Sequence, residues 1–122
     1  MHKILVVEDE HTLRDVYKLI LSTGPYMVDT AFNGKDALEK INDTTYDLIL
    51  LDLMMPIVDG VGFLEECTTS GKLHSKVIIL SNLSAGAELS RALCLGAYKN
   101  VLKSDLSPRQ LLETVHRELE AR

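Results

Sequence analysis

Apolar residues along this chain follow two alternating patterns. Apolar runs at 4–7, 26–32, 48–51, 77–80 and 101–102, flanked by turn-forming residues, predict five short strands. Runs that are apolar at every position predict strands buried on both faces, as in a parallel sheet. The 26–32 run is interrupted by Asp29 and Thr30 and is expected at a sheet edge. Between the runs, apolar residues recur at helical spacing. Leu13, Val16, Tyr17, Ile20 and Leu21 form one stripe, closed by Gly24-Pro25. Ala37, Leu38 and Ile41 mark a second helix; Phe63, Leu64 and Cys67 a third; Leu89, Ala92 and Leu93 a fourth, which Gly96 can close. The fifth opens on Ser107-Pro108-Arg109-Gln110, a capping box with proline at the first helical position. Its apolar face is Leu111, Leu112, Val115 and Leu119.

Five successive strand–helix units imply an α/β fold, a parallel sheet covered by helices on both faces. The chain has 122 residues, enough to bury about two-thirds of its unfolded surface in one domain. No Pro/Gly/Ser-rich linker interrupts it, so residues 1–122 are expected to form a single domain with no second one visible. No apolar run approaches the roughly 18 residues of a membrane helix, and the run at 4–7 is too short for a signal peptide. Thirteen Lys and Arg against eighteen Asp and Glu give a net charge of −5, which argues against direct nucleic-acid binding. Cys67 and Cys94 suggest no disulfide framework; both sit among apolar residues and are expected as buried, reduced thiols of a cytoplasmic protein.

The chemistry lies where the apolar runs end. Glu8, Asp9 and Glu10 follow the first run, Asp52 the third, Ser81 the fourth and Lys103 the fifth. Open α/β sheets bind ligands outside the carboxyl ends of their strands. Glu8, Asp9 and Asp52 gathered there against Lys103 would repel one another unless a cation intervened. Mg²⁺, or Mn²⁺ in its place, suits such oxygen ligands and accepts phosphate oxygens. An aspartate carboxylate can act as a nucleophile and form an acyl phosphate; Asp52, emerging from a buried strand, is the candidate. Lys103 and the Ser81 hydroxyl would clamp the phosphoryl oxygens. Taken singly, each residue has a plainer reading: a cap, a turn former, a solvated charge or an acid at a helix start.

Taken together, these segments resemble the receiver domain of two-component response regulators. The resembling stretches are Ile4 to Glu10, Asp47 to Pro56 with Asp59-Gly60, Val77 to Ser81, and Gly96-Ala97 with Lys103. The resemblance covers essentially the whole chain. It implies a flavodoxin-like doubly wound (βα)5 fold of strand order 2-1-3-4-5. It further implies phosphoryl acceptance at Asp52 from a histidine kinase or phosphotransfer protein. Mg²⁺ would be held by Glu8 or Asp9, Asp52 and the backbone carbonyl of Met54, while Ser81 and Lys103 read the phosphoryl group. The domain would catalyse only its own phosphorylation and dephosphorylation. The face of the fourth helix, fifth strand and fifth helix would signal to an output domain or partner protein, with homodimerisation through those helices by analogy.

Three positions depart from the resemblance. Asn82 follows Ser81. Asn100 stands where the family often has Tyr or Phe, leaving Tyr98 either to substitute or to lie at the surface. Ser104 replaces a frequent proline after Lys103, so a trans bond is expected there. Met54 and Leu83, both apolar, flank the approach to Asp52 and offer nothing to orient an attacking water, which predicts a long-lived phosphoryl state. The alternative is a receiver-like module that binds a partner without phosphorylation. A flavin domain would need a phosphate loop where Glu8-Asp9-Glu10 stands. An aspartate-nucleophile hydrolase would need a second Asp at Met54, and a P-loop hydrolase needs a Gly-Lys motif that does not occur. His2, His11, His74 and His116 lack metal-ligand spacing and are expected in solvated or capping roles.

Overall fold

The computed structural model describes residues 1–82 and 86–120. Strands β1 (His2–Val7), β2 (Tyr26–Ala31), β3 (Leu48–Asp52), β4 (Lys76–Ser81) and β5 (Lys99–Leu102) alternate with five helices. These are α1 (His11–Ser22), α2 (Gly34–Asp43), α3 (Gly60–Ser70), α4 (Gly86–Cys94) and α5 (Pro108–Glu120). The strands form one parallel sheet of order β2-β1-β3-β4-β5. The interrupted 26–32 run therefore lies at an edge, where Met27 and Asp29 are exposed.

Strand parity divides the core into two layers. Leu5, Val7, Ile49, Leu51, Val77 and Ile79 face α2, α3 and α4. Ile4, Val6, Leu48, Leu50, Ile78 and Leu80 face α1 and α5, with Tyr17, Leu21, Leu111 and Val115 packed on them. Residues 4–7 and 48–51 are completely buried. Each such side chain contributes about 1.5–3 kcal/mol of transfer free energy, so the central strands anchor everything built on their ends.

Helix boundaries follow local chemistry. Asn33 Oδ1 accepts from Asp36 N at 2.8 Å, and Asp59 Oδ1 from Gly62 N at 2.8 Å. Ser107 and Gln110 form the expected reciprocal box at 3.2 and 3.0 Å. Gly96, at φ +110°, closes the turn after α4. Every strand departs from its apolar run by one or two residues: β1 begins at His2, β3 ends at Asp52 and β4 spans Lys76–Ser81. Strand β5 begins at Lys99, two residues before its apolar run, because an edge strand that is only half-buried tolerates Lys99 and Asn100. Phe32 lies beyond β2 and is exposed.

Of the two cysteines, Cys67 is buried, and burial pushes its thiol up to about 11. Cys94 is exposed, which corrects the expectation of two buried thiols. Among its described residues α4 buries Ala92 alone. Cys94 is two residues on, about 200° around the helix, and points away from the sheet.

Candidate functional site

The same parity that sorts the core builds the site. Glu8 continues the Ile4, Val6 series and Asp52 ends the Leu48, Leu50 series, while Lys103 opens a single 3-10 turn (Lys103–Asp105) directly after β5. The three side chains meet at the carboxyl rim of the sheet. Glu8 extends the ladder beyond β1, its N–H donating to Ala31 O at 3.0 Å. Lys103 Nζ lies 2.9 Å from Glu8 Oε1 and 3.3 Å from Asp52 Oδ1. Asp9, exposed in the following loop, completes a group whose carboxylate oxygens lie within 4.8 Å of one another. Glu8 and Asp52 are buried. The donor set consists of hard oxygens with one ammonium against three carboxyls, which matches a hard divalent cation.

The electrostatics record that imbalance. Burial pushes the Glu8 carboxyl up to about 7, the hydrogen bond from Lys103 working against the rise and the neighbouring Asp52 adding to it. Burial alone would lower Lys103, but its hydrogen bond to Glu8 and the charge of Asp52 leave it raised. Tyr17, buried on α1 close enough to feel these charges, is raised chiefly by burial.

Backbone contacts hold the rim in shape. Arg14 Nη1 on α1 donates to Glu8 O at 3.1 Å and reaches Asp9 O at 3.5 Å, bracing the acidic loop. Glu10 N donates to Glu8 Oε2 at 3.2 Å, and Met54 N to Asp52 Oδ1 at 3.3 Å. The loop from β3 to α3 is pinned by Gly60 N to Leu53 O at 3.1 Å and Gly34 N to Val58 O at 2.8 Å. A Cβ on Gly60 would lie 2.7 Å from Asp52 O. In that loop Ile57 adopts φ +68° with its side chain exposed. The left-handed region disfavours β-branched residues.

Ser81 ends β4 on the opposite sheet face from Asp52, in the Val77, Ile79 series, and is buried. Its Oγ accepts from Asn100 Nδ2 at 3.4 Å. Tyr98 lies at the surface, its ring beneath Lys76 Nζ at 4.5 Å. No described peptide bond is cis, Lys103–Ser104 included. Met54 is exposed at the rim; Leu83 lies outside the described residues. The histidines form no metal group among the described residues. His11 instead pairs with Arg14 and Asp15, and His116 with Tyr26 and Glu120.

The structure brings the expected Glu8, Asp9, Asp52 and Lys103 together at the rim and leaves Ser81 on the other face of the sheet, bonded to Asn100; the sequence reading named neither Arg14 nor the Asn100 bond. Arg14 had a signal in the sequence: it is a cation in the first turn of a helix that follows three acids.

A family model for the response regulator receiver domain matches residues 4–116. The probable transcriptional regulator ycf27 of Cyanidium caldarium is 34% identical over 99% of this chain and 49% of its own length. The response regulator ArlR of Staphylococcus saprophyticus is 51% identical over 66% of this chain and 35% of its own length. This chain therefore spans about half or less of these curated relatives. A CheY-like response regulator receiver domain protein from Methanospirillum hungatei superposes with a TM-score of 0.88, 28% identical, over 98% of this chain and 94% of that one. No helix among the described residues is long and apolar enough to cross a membrane. With the acidic rim, the β2-β1-β3-β4-β5 sheet and these likenesses in agreement, the chain belongs to the family of response regulator receiver domains.

Proposed function

We propose that the chain accepts a phosphoryl group on Asp52 from a phosphohistidine of a histidine kinase or phosphotransfer protein. An Asp52 carboxylate oxygen attacks phosphorus in line, the P–N bond breaks, and the imidazole leaves with the electron pair and takes up a proton. Lys103, already paired with Asp52 at 3.3 Å, follows the charge onto the transferred oxygens. The Ser81 hydroxyl donates to one of those oxygens. Glu8, Asp9, Asp52 and the backbone carbonyl of Met54 would hold Mg²⁺ or Mn²⁺. The ion, when bound, neutralises charge on the phosphoryl group in the transition state. Arg14 keeps the acidic loop in place meanwhile.

The domain would serve a two-component phosphorelay in the cytoplasm as a switch rather than an enzyme with a separate substrate. Its α4, β5 and α5 face would pass the phosphorylated state to an output domain, a partner protein or a second copy. The observation that carries this reading is the Asp52–Lys103 ion pair inside a three-carboxylate rim. Intact-mass spectrometry with Mg²⁺ and either acetyl phosphate or a phosphorylated histidine phosphotransfer protein tests it. One phosphoryl adduct, lost on chelation and in Asp52→Asn, is expected. No adduct from either donor, or an adduct that survives Asp52→Asn, overturns it.

A further inference from the structure

Asn100 places a polar side chain on β5 beside buried Ile79, where packing alone favours an apolar one. The register pairs Asn100 with Ile79 and Leu102 with Ser81. Asn100 and Ser81 are therefore diagonal neighbours on one face of the sheet, within reach of a long side chain. The contact made is Asn100 Nδ2 donating to Ser81 Oγ at 3.4 Å.

The direction of that bond has a consequence. A serine hydroxyl has one proton and two lone pairs. An amide N–H at Oγ occupies a lone pair and leaves the proton for another acceptor. A phosphoryl group on Asp52 offers only acceptors, so Ser81 can bind it only as a donor. Ser81 is 2% exposed, which leaves solvent little room to substitute for Asn100. We infer that Asn100 is a positioning residue for phosphoryl binding: its side-chain amide holds Ser81 Oγ and reserves the hydroxyl proton for the phosphoryl oxygen on Asp52. This rests on the phosphoacceptor reading above.

Asn100→Asp tests it by keeping shape while replacing the donor with an acceptor. The new carboxylate accepts a hydrogen bond from the Ser81 hydroxyl and turns it away from the phosphoryl group. Adduct formation with Mg²⁺ and acetyl phosphate, followed by intact mass, is expected to slow about tenfold, the worth of one hydrogen bond to a charged group. Asn100→Ala, which frees Oγ without claiming its proton, should slow it by less. Both substitutions are repeated in a Ser81→Ala background, where the added charge acts alone. There the Asn100→Asp effect should largely vanish. An Asn100→Asp protein as fast as wild type overturns the inference. So does a loss equally large with and without Ser81. Wild type that takes no phosphoryl group defeats the phosphoacceptor reading itself, so the two failures are told apart.

Discussion

Lys103 Nζ sits 2.9 Å from Glu8 Oε1, joining the ends of β5 and β1 across 95 residues of sequence. The Glu8 side chain is 2% exposed and that of Lys103 24%. Lys103→Met would strand a buried carboxyl beside Asp52. Glu8 can take up a proton, and Lys103 is partly solvated, so the expected loss is about 2 kcal/mol, below that of a fully buried pair. Millimolar Mg²⁺ should restore stability more in the variant than in wild type, because a bound cation replaces the missing charge. Urea unfolding with Mg²⁺ or with chelator measures both. Equal stability of the two proteins in chelator would show that the ion pair does not hold the rim.

Gly60 is required by proximity rather than by its backbone angles. A Cβ there would stand 2.7 Å from Asp52 O and 2.8 Å from Leu53 Cα, both backbone atoms that cannot swing aside. Gly60→Ala should therefore push the end of β3 and its carboxylate out of place. A loss of about 2 kcal/mol is expected, the scale of overpacking a rigid site, together with slower phosphorylation at Asp52. Gly86→Ala is the control, since a Cβ there meets nothing within 4 Å. Matching behaviour of the two variants would contradict the clash.

Ile57 presents the opposite case, a residue whose backbone disfavours it. At φ +68° an L side chain costs roughly 1–2 kcal/mol, and at 81% exposure this one recovers little by packing. Glycine removes the strain but adds about 0.5–1 kcal/mol of unfolded-state entropy. Ile57→Gly should thus stabilise the fold slightly, by about 0.5 kcal/mol, the difference of those terms. Ile57→Val, equally β-branched, should not. Urea midpoints at unchanged slope decide it; a destabilised glycine variant would mean the exposed isoleucine packs on something.

The fold was legible because parity and period carry it. Ile4, Val6 and Glu8 alternate onto one face whichever residues lie opposite, and Asp52 ends a run buried on both sides. What stayed hidden depends on register between strands or on the backbone. The Asn100–Ser81 bond exists only once β4 and β5 are aligned. The φ of Ile57 is invisible because isoleucine does not advertise a left-handed turn. Cys94 passed for core because apolar neighbours in sequence are not neighbours on a helix surface. Glu118 did leave a trace, as a charge inside the Leu111, Val115, Leu119 stripe of α5, and it proves to be buried.

Glu118 accepts from Lys99 Nζ at 2.8 Å, with Lys76 at 3.7 Å and Arg117 at 3.8 Å. Its carboxyl is held below the ordinary 4.5, first by the Lys99 hydrogen bond, against the opposing effect of burial. The folded state therefore binds fewer protons at Glu118 than the unfolded state does. Stability from this site is complete above the unfolded value and is lost as pH falls through the folded one. Glu8 acts in the other direction: its carboxyl is raised to about 7, so its charging lowers stability as pH rises from 4.5 toward 7. Comparing wild type with Glu118→Gln cancels the Glu8 contribution. The variant should be less stable by about 1–2 kcal/mol at pH 7, discounted from a fully buried pair because all three cations are partly solvated. That gap should hold at pH 6 and narrow as pH falls below the ordinary 4.5, closing as it passes through the lowered folded value. Urea midpoints across this range measure it, and a gap independent of pH would place the Glu118 contribution in packing rather than in charge.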